Sequence, residues 1–371
     1  MNHLETNNQL YHVIKQFEFT GKLISADMYG NGHINQTYLI TMEDDKSKEK
    51  HYILQRINKK IFTKPSEVME NILAVTNHLK KKIKGNGGNP ERETMTVILT
   101  KEGKSCFMDE MGEYWRAFLF IEHTVCLNMV EKPEDFYECA VAFGRFQYLL
   151  SDFPADTLHE VIPGFHDTSK RFHTFVRAVE ADMCDRAAFV QKEIDFILKR
   201  KDISEVLLKM LSEKKLPLRV THNDTKLNNI MMDTKTRKGI CIIDLDTVMP
   251  GLALYDFGDA IRFGASTGAE DETDLDKIRC DLNLFDLYTK GFVEGCGDIL
   301  TEEELKALPL GAKVMTFESG LRFLTDYLLG DTYFKTSRKH HNLDRCRTQL
   351  KLVADMEEKW SDMNQMVKRY I

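Results

Sequence analysis

The first third of the chain carries short runs in which apolar and polar residues alternate, the pattern typical of β-strands. Two such runs lie within residues 21–42, on either side of Tyr29-Gly30-Asn31-Gly32, and residues 50–57 form a third. Residues 94–100 and 115–121 add two more. Between them, Pro65 begins a segment whose apolar residues have helical spacing, namely Val68, Ile72, Val75, Leu79 and Ile83. We predict a five-stranded antiparallel sheet with one helix.

Beyond about residue 122 the apolar residues recur mainly at helical spacing. Long helical patterns cover residues 169–211, 273–295, 301–330 and 343–369. The exception is residues 229–244, where two short apolar runs flank a polar turn and predict a β-hairpin. The predicted fold class is α+β, with a small N-terminal lobe (1–122) and a larger, mainly helical C-terminal lobe (123–371).

Composition narrows the class of protein. The 371 residues, 42% of them hydrophobic, suffice for more than one domain's core. A net charge of −7 gives no sign of nucleic-acid or membrane-surface binding. The N-terminus lacks the apolar segment of a signal peptide, and no stretch approaches the roughly 18 apolar residues of a membrane span. The eight cysteines contain no Cys-x-x-Cys pair. We predict a soluble cytoplasmic protein with reduced thiols; nothing in the sequence indicates its oligomeric state.

A cluster of polar residues between apolar runs contains the candidate chemistry. Asp224 follows His222 by two positions, Asn229 comes soon after, and Asp244 ends the next apolar run. Mg²⁺ prefers hard oxygen ligands and retains water, so one amide and one carboxylate suffice to hold it beside phosphate oxygens. The other carboxylate can accept a proton from a hydroxyl that attacks phosphorus. These residue types also cluster in ordinary turns, but a second carboxylate at hairpin distance favours a phosphoryl-transfer site.

The spacing matches the H-x-D-x-x-x-x-N catalytic loop of protein kinases and the metal-binding Asp that follows it. Leu245-Asp246 in place of Phe-Gly after Asp244 points away from true protein kinases and supplies Asp246 as a candidate further metal ligand or water-holder. Residues 221–233 and 243–266 resemble the aminoglycoside phosphotransferase and choline kinase superfamily, and within it the bacterial N-acetylhexosamine 1-kinases. The resemblance extends to residues 30–40, 52–58 and 320–334, and so covers most of the chain.

The resemblance implies a protein-kinase-like two-lobe fold and an ATP-dependent small-molecule kinase of amino-sugar salvage. It implies that Asp224 is the base and that Asn229 and Asp244 bind Mg²⁺. His222 and Asp256 then become supports of the catalytic loop, as does Asp259.

The N-terminal lobe is expected to hold the nucleotide. Gly30 and Gly32 stand where kinases place a turn over the phosphates, although a plain hairpin turn has the same residues. Strand alternation puts Leu54 and Arg56 on one face, where they would meet adenine and phosphates; the alternative for Arg56 is an edge-strand surface. The acid that pairs with Arg56 is expected to be Glu67 or Glu70. Kinase topology places adenine against the backbone of Phe120 to Glu122.

The acceptor should lie beside Asp224, between the lobes. The resemblance to hexosamine kinases implies contacts from Phe263, Arg322 and Tyr333, with His33 reaching over from the glycine turn. The alternatives are that Phe263 belongs to the core and that Arg322 forms a surface ion pair. The expected reaction is transfer from ATP to the anomeric hydroxyl of GlcNAc or GalNAc.

Two alternatives for the function stay open. The same scaffold could phosphorylate choline, an aminoglycoside, homoserine or another sugar, and the acidic residues 271–282 keep a cationic aminoglycoside under consideration. A nucleotide-binding pseudokinase is the other alternative, which the presence of Asp224, Asn229 and Asp244 disfavours.

Overall fold

The N-terminal lobe is built on an antiparallel sheet. The computed structural model describes residues 3–30 and 35–371. The strands run in the order β1-β2-β3-β6-β4, and β5 also pairs with β6. Their bounds are β1 (Lys22–Met28), β2 (Gln36–Glu43), β3 (Glu49–Arg56), β4 (Val97–Ile98), β5 (Phe107–Met108) and β6 (Tyr114–Leu119). The sheet therefore has six strands rather than the predicted five, because β5 is too short for an alternating pattern to reveal it.

Helices cover both faces of this sheet. The predicted helix is α2 (Pro65–Gly85), and all five of its expected apolar residues are buried. α1 (His3–Ile14) was not predicted, because its sequence is mostly polar; it contributes Leu10, Val13 and Ile14 to a core with Tyr52 and Leu54 of β3. A short helix, α3 (Pro90–Glu93), precedes β4.

The C-terminal lobe is mainly helical, as predicted. Its helices are α4 (Pro133–Leu149), α5 (Thr168–Ala181), α6 (Gln191–Leu198), α7 (Val206–Ser212), α8 (Ala253–Gly264), α9 (Leu282–Cys296), α10 (Glu302–Leu328), α11 (His341–Glu358) and α12 (Trp360–Val367). The helical pattern at 169–211 is divided into α5, α6 and α7. The first break follows from Asp182, which adopts a left-handed conformation (φ 35°) and caps the next turn by accepting from the N–H groups of Arg186 and Ala187.

Two small sheets carry the motif region. β7 (Thr124–Val125), β9 (Ile230–Asp233) and β10 (Gly239–Ile242) form one, and β8 (Arg219–Thr221) pairs with β11 (Met249–Gly251) in the other. The predicted hairpin at 229–244 is confirmed as β9 and β10. The chain passes from β6 in the first sheet to β7 beside β9, and the predicted lobe boundary at residue 122 lies in this connection.

Two further observations concern the helices and the cysteines. In the described chain, none of the helices combines the length and apolar character needed to cross a membrane. All eight cysteines are free, as predicted, and five of them are buried.

Candidate active site

The predicted catalytic loop is anchored by a buried carboxylate of α8. Asp256 is fully buried and accepts hydrogen bonds from the backbone N–H groups of His222 (3.0 Å) and Asn223 (2.8 Å) and from Nε2 of Gln147 (2.7 Å). Burial raises the pKa of Asp256, while His222 and these hydrogen bonds act against that rise. Three buried donors therefore depend on one side chain, which is the supporting arrangement expected for Asp256.

Replacing Asp256 with Ala is expected to lower the free energy of unfolding by at least about 3 kcal/mol, because each buried donor left without a partner costs about 1–3 kcal/mol. Urea denaturation measures the effect. Asp152→Ala is the matched control, since Asp152 is exposed and its ion pairs with Lys82 and His78 contribute at most about 1 kcal/mol. Equal stability of the two variants would contradict the supporting role.

His222 is completely buried and is oriented by both ring nitrogens. Nε2 donates to the carbonyl oxygen of Ile243 (2.9 Å), and Nδ1 accepts from the N–H of Asp224 (3.3 Å). Further bonds join the same two loops: Asn223 Nδ2 donates to the carbonyl of Thr247 (2.8 Å), and Thr247 Oγ1 donates to that of His222 (2.7 Å). The loop of Asp224 and the segment after β10 thus form one unit.

Asp224 is half-buried at the surface of this unit. Its Oδ1 lies 2.5 Å from Nζ of Lys226, and its Oδ2 accepts from Nδ2 of Asn229 at 3.1 Å. The Asn229 amide also donates to the backbone carbonyl of Asp224 (2.8 Å). The carboxylate is therefore fixed in direction while it remains reachable, as a group that must accept a proton from a bound alcohol has to be.

Lys226 was missed at the level of sequence. Burial acts to lower its pKa, but Asp224 and Asp259 outweigh this and raise the pKa, so the ammonium stays charged. Asp259 also accepts from the N–H of Thr225 (3.0 Å) and is paired with Arg262 (2.8 Å). The H-x-D-x-K spacing, with Lys two positions after Asp224, was the available signal.

Asp244 stands at the end of β10 in a left-handed conformation (φ 59°) that L residues rarely adopt. The residue is exposed to solvent on one side, but protein atoms surround the rest of its carboxylate and partly desolvate it. Burial, followed by the charges of Asp246 and Asp224, raises the pKa of Asp244 to about 7. The bond from Ile243 N to the carbonyl of Asn229 (2.9 Å) keeps Asn229 alongside.

These residues fit a divalent cation. The negative charges of Asp246 and Asp224 disfavour the ionised form of Asp244, and a nearby cation would stabilise that form. In the described part of the chain no group of three or more His, Cys, Asp or Glu side chains could hold a metal alone. A cation at Asp244 and Asn229 would therefore depend on water and substrate oxygens as well, which is the usual situation for Mg²⁺.

Asp246 is paired with a buried arginine of the N-terminal sheet. Both of its oxygens are bonded by the guanidinium of Arg116 on β6, Nη2 to Oδ2 at 2.9 Å, and Asn35 donates to Oδ2 at 2.8 Å. Arg116 is itself buried and donates through Nε to Oε1 of Gln55 (3.0 Å). These bonds place Asp246 in an ion pair between the two lobes, and its role as a metal ligand or water-holder stays a prediction.

The two residues predicted for the nucleotide on β3 face away from this unit. Leu54 is fully buried in the core beneath α1, and Arg56, on the same face, lies near the hydroxyl of Tyr38 in that core. Gln55 and Arg116 occupy the opposite face. The proposed acids of α2 are engaged elsewhere, Glu67 with Lys64 and Glu70 with His159, both at 2.8 Å. The alternation was predicted correctly, but the face was wrong.

Tyr29 and Gly30 lie close to the connection between the two lobes. Gly30 has φ 74°, and the ring of Tyr29 before it packs against Phe120 (5.8 Å between centroids). Glu122 bonds His51 through its side chain (2.7 Å), and its carbonyl accepts from Arg92 (2.6 Å). The nearness of this turn to Phe120 fits a nucleotide edge. Gly32 and His33 lie outside the described residues.

Arg322 of α10, one of the predicted acceptor contacts, lies among aromatic rings. Its guanidinium is 5.3 Å from the ring of Phe165, 5.9 Å from Tyr333 and 5.4 Å from Phe334. Within residues 3–30 and 35–371 it makes no hydrogen bond or ion pair, so the predicted alternative of a surface ion pair is wrong there. Tyr333 is 62% exposed. Its turn is held by Asp326, which accepts from the backbone N–H of Tyr333 at 2.8 Å.

Phe263 lies in a different setting from Arg322 and Tyr333. It lines a cavity of about 1060 Å³ between the end of α8 and the first halves of α4 and α9, which Thr225 and Leu227 also border. Arg322 and Tyr333 do not line this cavity. The three predicted acceptor contacts are thus not gathered around one void.

Solved structures of similar fold are kinases of small molecules. A microcompartment-associated aminopropanol kinase is 16% identical and superposes with a TM-score of 0.64, over 97% of this chain and 98% of that one. A spectinomycin phosphotransferase in complex with ADP and spectinomycin is 16% identical, with a TM-score of 0.56 over 95% and 98%. An amicoumacin kinase in complex with AMP-PNP and Ca²⁺ is 11% identical, with a TM-score of 0.55 over 96% of each chain.

At these identities the structures establish the fold. The sequence itself matches the model of the phosphotransferase enzyme family, APH, over residues 28–287. The match includes the catalytic loop, Asp244 and the sheet that carries Arg116, and it covers more than half of the chain. The protein is a member of the phosphotransferase enzyme family.

Proposed function

We propose that this kinase transfers the γ-phosphate of ATP to the anomeric hydroxyl of an N-acetylhexosamine, GlcNAc or GalNAc. The observation that supports the transfer is the fixed, reachable carboxylate of Asp224, held between Lys226 and Asn229 and within electrostatic range of Asp244. We further propose that residues 1–122 and 123–371 act as nucleotide and acceptor lobes. The expected location is the cytoplasm.

The transfer is a single in-line displacement. Asp224 accepts the proton of the acceptor hydroxyl as that oxygen forms a bond to the γ-phosphorus, and the bond from phosphorus to the bridging oxygen of ADP breaks. Lys226, beside Asp224, is placed to balance negative charge on the phosphoryl oxygens. Mg²⁺, held by Asn229 and Asp244, would supply further positive charge there when bound. The products are ADP and the sugar 1-phosphate.

The charges of the C-terminal lobe favour a neutral acceptor over a cationic one. The acidic segment 271–282 could have attracted an aminoglycoside, but four of its five acids have partners: Asp271 bonds His341, Glu272 and Asp274 pair with Lys277, and Asp281 caps α9. Arg322 instead presents a cation among aromatic rings. Aromatic faces and a guanidinium suit the C–H patches and hydroxyls of a sugar.

An acceptor panel tests the proposal. The protein is incubated with Mg–ATP and, separately, with GlcNAc, GalNAc, unacetylated hexoses, choline, homoserine and an aminoglycoside, and ADP release is followed. Two-dimensional ³¹P–¹H NMR then locates the new phosphate. Phosphate on the anomeric oxygen of an N-acetylhexosamine is the expected result. Turnover confined to another acceptor, or phosphate at another hydroxyl, would refute the proposed specificity.

Replacing Arg322 with Met is expected to raise the KM for the sugar about 10–100-fold, because a hydrogen bond to a charged group contributes about 1.5–3 kcal/mol. The KM for ATP should stay within about twofold. Arg345→Met is the matched control: Arg345 also lies against a ring, Phe323 at 5.5 Å, but its guanidinium is bonded to the carbonyl of Lys335. Equal KM values for the sugar in both variants would show that Arg322 does not contact the acceptor.

A further inference from the structure

Arg116 is a buried cation that the proposed transfer does not use. Its side chain is 2% exposed and that of Asp246 is 5% exposed. All three of its nitrogens have partners, two on Asp246 and one on Gln55. A desolvated arginine is costly unless its planar fork is fully bonded. Arg116 belongs to the sheet, whereas Asp246 follows Asp244 in the chain, so this pair ties the two lobes together.

A third element converges on the same carboxylate. Asn35, which lies at the start of β2 just after the glycine turn, donates to Oδ2 of Asp246 (2.8 Å), and its own Oδ1 accepts from the N–H of Asn58 (3.0 Å). One buried carboxylate therefore contacts the sheet and the base of the turn, and it stands two residues from Asp244. These are the parts that have to be aligned for a nucleotide to bind across the cleft.

The ion pair at the nucleotide side of the sheet differs from that of protein kinases. Protein kinases place a Lys on β3 against the phosphates and pair it with a Glu of the following helix. In this chain Gln55 occupies the inward face of β3 and accepts from Arg116. The candidate acids of α2, Glu67 and Glu70, bond Lys64 and His159. The positive charge on this face thus comes from β6, and its carboxylate partner comes from the opposite lobe.

We propose that Arg116 and Asp246 form an interlobe clamp that replaces the strand–helix ion pair of protein kinases and positions the nucleotide-binding groups. Arg116 is a positioning residue that stays bonded to Asp246 and keeps Asn35, which directly precedes β2, aligned with Asp244. Asp246 is its anchor and does not bind the metal. The clamp rests on the proposed nucleotide site but is independent of which acceptor is used.

Calorimetric titration with ADP, with and without Mg²⁺, tests the clamp in the full chain. Arg116→Met and Asp246→Asn are each expected to weaken ADP binding about tenfold or more. The double variant should bind ADP no more weakly than the weaker-binding of the two single variants, because both substitutions remove the same contact. The Mg²⁺ concentration for half-maximal binding should be unchanged in Asp246→Asn. Arg56→Met is the matched comparison on the opposite face, with ADP affinity expected to stay within about twofold.

Three results would overturn the clamp: additive losses in the double variant, a raised Mg²⁺ requirement in Asp246→Asn, or lost ADP binding in Arg56→Met but not in Arg116→Met. If Arg116→Met does not fold, Arg116→Lys, which keeps the charge, and the neutral double variant carry the same comparison. ADP binding without turnover of any acceptor would refute the proposed acceptor and leave the clamp test intact. Absence of ADP binding by the unsubstituted protein would instead refute the proposed function itself.

Discussion

Replacing Asp224 with Asn is expected to lower kcat about 10³-fold, within the range of about 10²–10⁴ that a positioned base contributes. Asn is close in shape and keeps an oxygen for Asn229 Nδ2, but it accepts no proton at neutral pH. The acceptor hydroxyl then has to attack while still protonated. Because the side chain of Asp256 still accepts the hydrogen bonds from the backbone N–H groups of His222 and Asn223, the fold and the nucleotide site should be unaffected.

The measurement is steady-state turnover together with ADP affinity and thermal unfolding. We expect ADP affinity to change by less than about threefold, since Asp224 acts on the acceptor oxygen. Asp195→Asn is the control, because Asp195 is exposed on α6 and its side chain bonds only Gln191 among the described residues. If Asp224→Asn turned over as fast as this control, Asp224 would not be the base.

Replacing Asp244 with Asn is expected to abolish the contribution of Mg²⁺ to ADP binding, so that affinity with and without the ion becomes equal. Even residues behind a metal's ligands alter its affinity about 10–100-fold, and a carboxylate ligand should contribute at least as much. Asn is the appropriate substitute because it tolerates the left-handed backbone at this position, where φ is 59°. Titration with ADP over a range of Mg²⁺ concentrations measures the loss.

The same substitution has an expected effect without any metal. Burial and the charges of Asp246 and Asp224 raise the pKa of Asp244 to about 7, so its ionised form is disfavoured where it stands. Asp244→Asn removes that charge, and the metal-free variant should unfold at the same temperature as the original protein or higher. Normal Mg²⁺-dependent binding in the variant would refute the metal role, and a lower unfolding temperature would show that Asp244 stabilises the fold.

Much of the fold follows from local patterns. The helical spacing from Val68 to Ile83 and the hairpin at 229–244 were predicted correctly, because each pattern is long or is bounded by clear turn residues. α1 was missed because a largely polar helix buries only a narrow stripe of residues such as Leu10 and Val13. Leu54 and Arg56 were assigned to the nucleotide because their spacing on β3 fits the kinase pattern. In the structure α1 packs on that face of the sheet, and Gln55 and Arg116 lie on the other face.

The order of residues alone was enough to predict the candidate catalytic loop. His222, Asp224, Asn229 and Asp244 are spaced to fit one short loop and one strand end, where neighbours in sequence are also neighbours in space. Tertiary structure alone decided which charges meet across the cleft. Arg116 and Asp246 are 130 positions apart, and no local period specifies that pairing. It arises only when the sheet packs on the helical lobe, because an arginine in the apolar strand β6 must then find a carboxylate within reach of its buried position.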